Sequence, residues 1–237
     1  MHDDAQTLRV SASNYYNKIK LQLLEKGIDF EEELVYTGST HPKLLARSPM
    51  GKVPFLDTPH GAISESMACA EYIEAAYPEH PLLPADVFAA GKVRELVVVM
   101  DLHLELVARV LHIEALWGGK VSDSVKERQR KLLEQGIASF AKLAKFSPFV
   151  AGDTFTIADC SAAAHLPLVG LTSKIIYGED LLAAAVPYKD YMKRLNERPA
   201  MIKVNADRKE NTEVFTAKVR AQVEAAKAAA ALLGQPA

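Results

Sequence analysis

The chain has 237 residues, 49% hydrophobic and 24% charged, the balance of a globular protein with room for one large domain or two small ones. A formal charge of −2 and a pI near 6.4 exclude a whole-molecule attraction to nucleic acid or anionic lipid. No apolar run approaches the ~18 residues of a membrane span, the start Met1-His-Asp-Asp is unlike a signal peptide, and the two cysteines, Cys69 and Cys160, are too few for a disulfide framework and too far apart for a metal clip, so a reduced, cytoplasmic, metal-free protein is expected.

Leu8-Arg-Val-Ser-Ala alternates apolar and polar side chains as a half-buried strand does. From Lys18 to Lys26 apolar residues fall at Ile19, Leu23 and Leu24, and Gly27 stands where a helix stops. Phe30 to Val35 reads as a second strand with an acidic face at Glu31 and Glu33. Strand, helix, strand predicts a βαβ unit with parallel strands. Thr37 to Met50 reads as irregular loop with a short helix. Val53-Pro-Phe-Leu is a third strand, Thr58-Pro-His-Gly a tight turn, and Ala62-Ile63 the start of a fourth. A helix over Ser64–Ala76 follows, ended by Tyr77-Pro78.

Three prolines between Pro78 and Pro84 mark a linker, dividing an α/β domain (1–84) from an all-helical one (85–237). The second part predicts a long amphipathic helix over Val93–Trp117, closed by Gly118-Gly119. Another runs over Asp123–Lys145 with the stripe Leu132, Leu133, Ile137, Phe140 and Leu143. Ile157–Leu171 is apolar enough to be buried on most sides, with Pro167 as a kink or end. Helices are also expected over Val186–Leu195 and Thr216–Leu233. Thr156-x-x-Asp159 has the form of a capping box with Phe155 as staple, a folding device. From the cap alone, Asp159→Ala should cost about 0.5–2 kcal/mol.

Two segments carry chemistry. In Ser48-Pro-Met-Gly-Lys-Val-Pro-Phe-Leu, Pro54 cannot donate to a ladder and sits where cis bonds occur. Its neighbours then have free backbone groups able to pair with an extended peptide ligand; an edge strand blunted by proline reads the same way. In Ser64-Glu-Ser-Met, Ser64 or Ser66 caps a helix start, where free amides and the helix dipole favour an anion. Glu65 beside it suits an ammonium group. Together they describe a site for an amino-acid head group, although an ordinary N-cap has the same sequence.

Gly51-Lys-Val-Pro-Phe-Leu followed by Ile63-Ser-Glu-Ser-Met-Ala-Cys-Ala-Glu-Tyr-Ile resembles the glutathione-site signature of cytosolic glutathione transferases. Phe149-Val-Ala-Gly-Asp-Thr-Phe-Thr-Ile-Ala-Asp resembles their later helix-start motif, and Asn196-Glu-Arg-Pro-Ala their Arg-Pro element. The resemblance runs from Leu8 to about Arg208. It implies an N-terminal thioredoxin-like domain followed by an all-α domain, glutathione as co-substrate and a homodimer. It implies that Val53 pairs by its backbone with the cysteinyl unit, that Pro54 is cis, and that Glu65 and Ser66 grip the γ-glutamyl end. Lys52 and His41 would face the glycyl carboxylate, though His41 also reads as a solvated loop residue.

Thiol activation needs a donor. Lowering a thiol pKa by two units takes about 2.7 kcal/mol, and one hydrogen bond to a charged acceptor supplies about 1.5–3 kcal/mol. Ser13 falls where serine-type members carry their activating hydroxyl, with Asn14 and Tyr15 as alternatives. The small electrophile would lie against Met100, His103, Leu104 and Val107, whose spacing is equally that of a core stripe; an interior, satisfied role is the plainer one for His103. Peroxide or disulfide reduction at the same site, or a non-catalytic glutathione-binding module, remain the alternative functions.

Overall fold

The structure is a computed structural model and describes residues 5–9, 13–35 and 41–210. The helix expected over Thr216–Leu233 lies outside these residues. Strand β1 (Ala5–Arg9) is followed by helix α1 (Asn14–Lys26) and strand β2 (Phe30–Leu34), which pairs with β1 in parallel. After the short helix α2 (Pro42–Leu45) come β3 (Phe55–Thr58), β4 (Gly61–Ser64) and helix α3 (Ser66–Ala76). The sheet order is β2-β1-β3-β4, with β3 antiparallel to both neighbours. This is the thioredoxin-like arrangement expected. The first strand starts three residues earlier than its alternation suggests, because Gln6 and Thr7 pair with Asp57 and Leu56. A period of two leaves such a shift open.

Beyond the prolines the chain is helical. Helix α4 (Val87–Val98) opens on Asp86, whose carboxylate accepts the Ala89 amide at 2.8 Å. It continues as a π-helical segment (Val99–Glu105), then α5 (Leu106–Arg109) and α6 (His112–Ala115). The single helix expected over Val93–Trp117 therefore starts earlier, widens and breaks. Helix α7 (Asp123–Leu143) crosses it at Gly136, where a Cβ would stand 2.2 Å from the His103 carbonyl oxygen; only glycine allows this approach. Helix α8 (Ile157–Tyr177) runs straight through Pro167 and ends at Gly178 in the left-handed region. The helix expected over Val186–Leu195 is α10 (Tyr188–Leu195); an unexpected short helix, α9 (Leu181–Ala185), precedes it, and residues 199–210 are helical again.

One large core gathers Met100, Leu104, Phe140, Leu166 and Tyr191, while a smaller one packs α1 and α3 on Leu56. Helix α1 lies between the sheet and α8, with nine of its 13 residues buried. Arg198 of the Arg-Pro element clasps Glu25 of α1 (2.8 and 2.5 Å) and covers the Phe155 ring at 4.5 Å. Lys26 reaches Glu74 and the His80 carbonyl, pinning the linker to α1 and α3. The halves are thus fastened at several places by charge.

The capping box at α8 is larger than its sequence form. One Asp159 oxygen accepts the Thr156 amide and hydroxyl, at 2.8 and 3.1 Å. The other accepts the Val150 amide at 2.9 Å and the Tyr191 hydroxyl at 2.7 Å. Asp159 is fully buried, so its removal leaves several donors without water or partner. We expect Asp159→Ala to cost about 3–5 kcal/mol rather than that of a simple cap. Thermal unfolding should show a Tm about 10 °C lower; a fall of only two or three degrees would mean that the other donors repair themselves.

Candidate active site

Three segments carry the expected binding residues: the start of α1, the strand entrance before β3, and the start of α3, which Lys18 of α1 reaches at Ser66 Oγ (3.4 Å). Ser13 is the N-cap of α1, its Oγ accepting the Tyr16 amide at 3.4 Å. A hydroxyl that accepts there keeps its proton for another partner. The Val53–Pro54 bond is cis, and Val53 is buried. Neither its amide nor its carbonyl has a backbone partner among the described residues. Ser48 holds this entrance in shape, its hydroxyl donating to the Lys52 carbonyl (2.7 Å) and accepting the Lys52 amide (3.1 Å).

At α3 the N-cap position belongs to Glu65, not to Ser64 or Ser66. Glu65 has φ 72°, a conformation uncommon for a residue with a Cβ, and gives no side-chain cap. The first-turn amides therefore have no side-chain cap among the described residues. Ser66 is the first helical residue and is buried, whereas the Glu65 side chain is exposed. An anion at the amides and a cation at Glu65 can bind side by side.

Behind this surface lies a buried polar seam absent from the sequence reading. Glu105, fully buried, accepts Asn14 Nδ2 at 2.9 Å, the Tyr15 hydroxyl at 2.7 Å and the Arg109 guanidinium. Arg109 also donates to Asn14 Oδ1 at 3.1 Å and covers the Tyr15 ring. A guanidinium only donates and a carboxylate only accepts, which fixes the orientation of the Asn14 amide. Its Nδ2 then donates to His165 Nδ1 at 2.9 Å as well, so His165 Nε2 carries the imidazole proton. Nε2 stands 3.1 Å from Asp101 Oδ1, although off the line of a hydrogen bond. Asp101 also accepts Ser161 Oγ at 2.9 Å and Lys18 Nζ at 2.7 Å.

These contacts set the charges. Burial pushes the Asp101 carboxyl up, and His165 and Lys18 more than reverse it, bringing it down to about 2. Burial likewise raises Glu105, but Arg109, Tyr15 and Asn14 leave it below the usual carboxylate range. Burial and then the Glu105 charge push the Tyr15 hydroxyl far above its ordinary value, so it stays a donor.

The expected site residues divide accordingly. Ser13, Val53, Pro54, Glu65 and Ser66 lie on these three segments. Asn14 and Tyr15 are close by, but their polar groups are taken by Glu105, Arg109 and His165. His41 is exposed and caps the short α2, its Nδ1 accepting the Lys43 amide at 3.3 Å. Lys52 is exposed at the strand entrance. The apolar wall needs correction: Met100 and Leu104 are fully buried in the helical core, and His103 is exposed rather than interior. The wider π turn carries them to different faces; Val107 stays half-buried. Lys18, Asp101, Glu105 and His165 were missed. Their signal was weak: ionisable side chains within sequence otherwise patterned as packed helix.

Neither cysteine is a nucleophile. Burial raises the Cys69 thiol to about 12 and pushes Cys160 well above the thiol range. Among the described residues no group of three or more His, Cys, Asp or Glu side chains is placed to hold a metal, and no helix is long and apolar enough to cross a membrane.

The chain matches two family descriptions, "Glutathione S-transferase, N-terminal domain" over residues 9–81 and "Glutathione S-transferase, C-terminal domain" over residues 123–194. It is 39% identical over 210 residues to a glutathione S-transferase of Pseudomonas putida, covering 89% of this chain and 95% of that one. Among solved structures it is similar to a glutathione S-transferase of Methylobacterium radiotolerans in complex with glutathione sulfonate, with TM-score 0.70 and 25% identity over 85% of this chain and 94% of that one. It also resembles glutathione S-transferase III in its apo form, with TM-score 0.69 and 28% identity over 86% and 96% of the two chains.

His112, at the start of α6, supplies a test of the buried electrostatics. It is buried, its Nε2 has no hydrogen-bond partner among the described residues, and its ring meets Trp117 edge-on. Burial lowers its pKa from 6.5 to about 4. The unfolded chain therefore takes up this proton at higher pH than the folded one, and stability falls as pH drops from about 6.5 to about 4. Urea unfolding of His112→Leu should show a shallower loss than the parent protein across this window. Parallel pH profiles would remove His112 from the acid response.

Proposed function

The chain belongs to the glutathione S-transferase family, and on that premise we propose that it binds glutathione across the strand entrance and the α3 N-terminus, holds its sulfur as thiolate, and adds it to small hydrophobic electrophiles. The observation that carries this reading is the pairing of an unpartnered Val53 backbone behind a cis proline with an uncapped α3 start. Val53 then takes the cysteinyl unit by main-chain pairing. The first-turn amides and Ser66 take the γ-glutamyl carboxylate, Glu65 its ammonium, and Lys52 and His41 the glycyl end. The domain division stays at residues 84 and 85, with the second domain supplying the electrophile side.

Ser13 is the activating donor in this reading. Its hydroxyl proton is not used by the helix cap, whereas the polar groups of Asn14 and Tyr15 are engaged in the seam. The positive end of α1 adds to the hydrogen bond. With both cysteines buried, reduction of a peroxide or a disulfide would have to use the sulfur of glutathione itself. A panel of an aryl halide, an organic hydroperoxide and a small disulfide separates these activities; turnover of none, with glutathione bound, would make the protein a binding module. Ser13→Ala should lower the conjugation rate about 10–100-fold with glutathione affinity kept within about twofold. An unchanged rate would take Ser13 out of the mechanism.

We assign the homodimer contact to the outer face of the α4–α5 rod. Val98, Leu102, Leu106 and Val110 recur every four residues and are each 43–50% exposed, and Phe88 is 77% exposed. An apolar strip of this length suits a partner surface. Phe88→Glu combined with Leu102→Glu should yield a monomer by sedimentation velocity. A dimer of unchanged strength would place the interface elsewhere.

A further inference from the structure

The proposed glutathione site has a buried cation behind it. Lys18 projects from α1, is 1% exposed, and places its Nζ 3.4 Å from Ser66 Oγ and 2.7 Å from Asp101 Oδ2. It does not reach solvent, so it acts on a ligand only through its neighbours. Asp101 is itself held from α8 by Ser161 Oγ at 2.9 Å, with His165 Nε2 standing 3.1 Å away. The ammonium is thereby fixed in position relative to Ser66 by three elements: α1, the π segment and α8.

The consequence lies in the polarity of the hydrogen bonds. An ammonium can only donate, so Ser66 Oγ must accept from Lys18. The one Ser66 hydroxyl proton is then directed away from Lys18, toward whatever sits at the start of α3. The neighbouring first-turn amides also only donate. We propose that Lys18 is a positioning residue that makes Ser66 a dedicated donor, so that this end of the site selects a carboxylate over a neutral or hydroxyl-bearing group. This rests on the assignment of the γ-glutamyl unit to the α3 start and names the group that each side recognises. Glu65, exposed and acceptor-only when ionised, is the complementary contact for the α-ammonium.

Without Lys18 the Ser66 hydroxyl can turn and either donate or accept, and the preference for an anion weakens. Charge-assisted donation from a cation also makes the Ser66 proton a better donor. A purely structural lysine would lower stability and affect every ligand alike. A lysine acting through Ser66 changes the ratio between ligands that differ only in the carboxylate.

The test uses the full chain and three tripeptides: glutathione, γ-aminobutyryl-cysteinyl-glycine, which lacks the α-carboxylate, and glutaryl-cysteinyl-glycine, which lacks the α-amine. Because Lys18→Met alone leaves Asp101 as a buried unpaired carboxylate, the principal variant is Lys18→Met with Asp101→Asn, and Lys18→Arg is the conservative control. Folding is checked by circular dichroism and binding by titration calorimetry. The parent should bind glutathione about 10–100-fold more tightly than the analogue without the carboxylate. The double variant should cut that ratio at least about fivefold, leave the ratio for the amine-lacking analogue within about twofold, and show KM for glutathione raised with kcat little changed. Lys18→Arg should restore carboxylate discrimination. Equal discrimination in the folded double variant overturns the role of Lys18 while leaving the glutathione site intact. Loss of affinity for all three ligands in equal proportion does the same, since that is the mark of a structural lysine. A parent protein that binds no glutathione overturns both this inference and the reading beneath it.

Discussion

Helix α1 is buried on nearly every side, yet it carries Asn14, Lys18, Lys20, Gln22 and Lys26, and the architecture is arranged around satisfying them. A buried charge without a partner costs several kcal/mol, so each of these side chains needs a group on another element. Lys18 has Asp101 and Ser66, Lys20 has Glu32 and Asp207, Gln22 has the Ala70 carbonyl and Glu74, and Lys26 has Glu74 and the linker. The sheet, α3, the linker and the helical half are all anchored on one helix through its polar atoms. The apolar cores supply most of the burial; the polar contacts fix how one half sits on the other.

The π segment is how the helical half meets this demand. A wide turn is uncommon and recurs at functional positions. Here it presents Asp101 and Glu105 toward α1 and α8 while Met100 and Leu104 remain in the core. The same turn displaces His103 to the surface, where its carbonyl meets Gly136 of α7. A regular helix through these seven residues would change the direction of every later side chain. The irregularity therefore belongs to the interface between the halves.

How far the sequence could be read follows from the range of its signals. The strand entrance at Pro54 is local, fixed by a proline and a glycine, and was legible; at α3 the helix was legible, but not that Glu65 would take the cap position at φ 72° and leave the first turn without a side-chain cap. The capping box was legible too, but not its size, since Val150 and Tyr191 arrive from nine and 32 residues away. Asp101, Glu105 and His165 were not legible, because a single ionisable residue in an apolar helix has the same pattern whatever it faces. Apart from Arg109 and Glu105, the partners lie 60 to 151 positions apart in the seam, a separation no periodicity reports. In helix α1 the lysines and amides have the pattern of a solvated face and are in fact its contacts with the sheet, α3, the linker and the helical half.

The seam also bears on how such proteins change over generations. Domains that meet through apolar surfaces of similar shape can be recombined with modest loss, because a methyl group accepts many neighbours. A junction whose donors and acceptors are matched atom by atom allows less exchange: an N-terminal half brought in from a relative without Lys18 or Asn14 would leave Asp101 without its cation and Glu105 without its amide, with only Ser161 and Arg109 of their own half to bond them. The two halves of this chain are separate in architecture but inherited as one unit, and residues at their junction must change in concert or not at all.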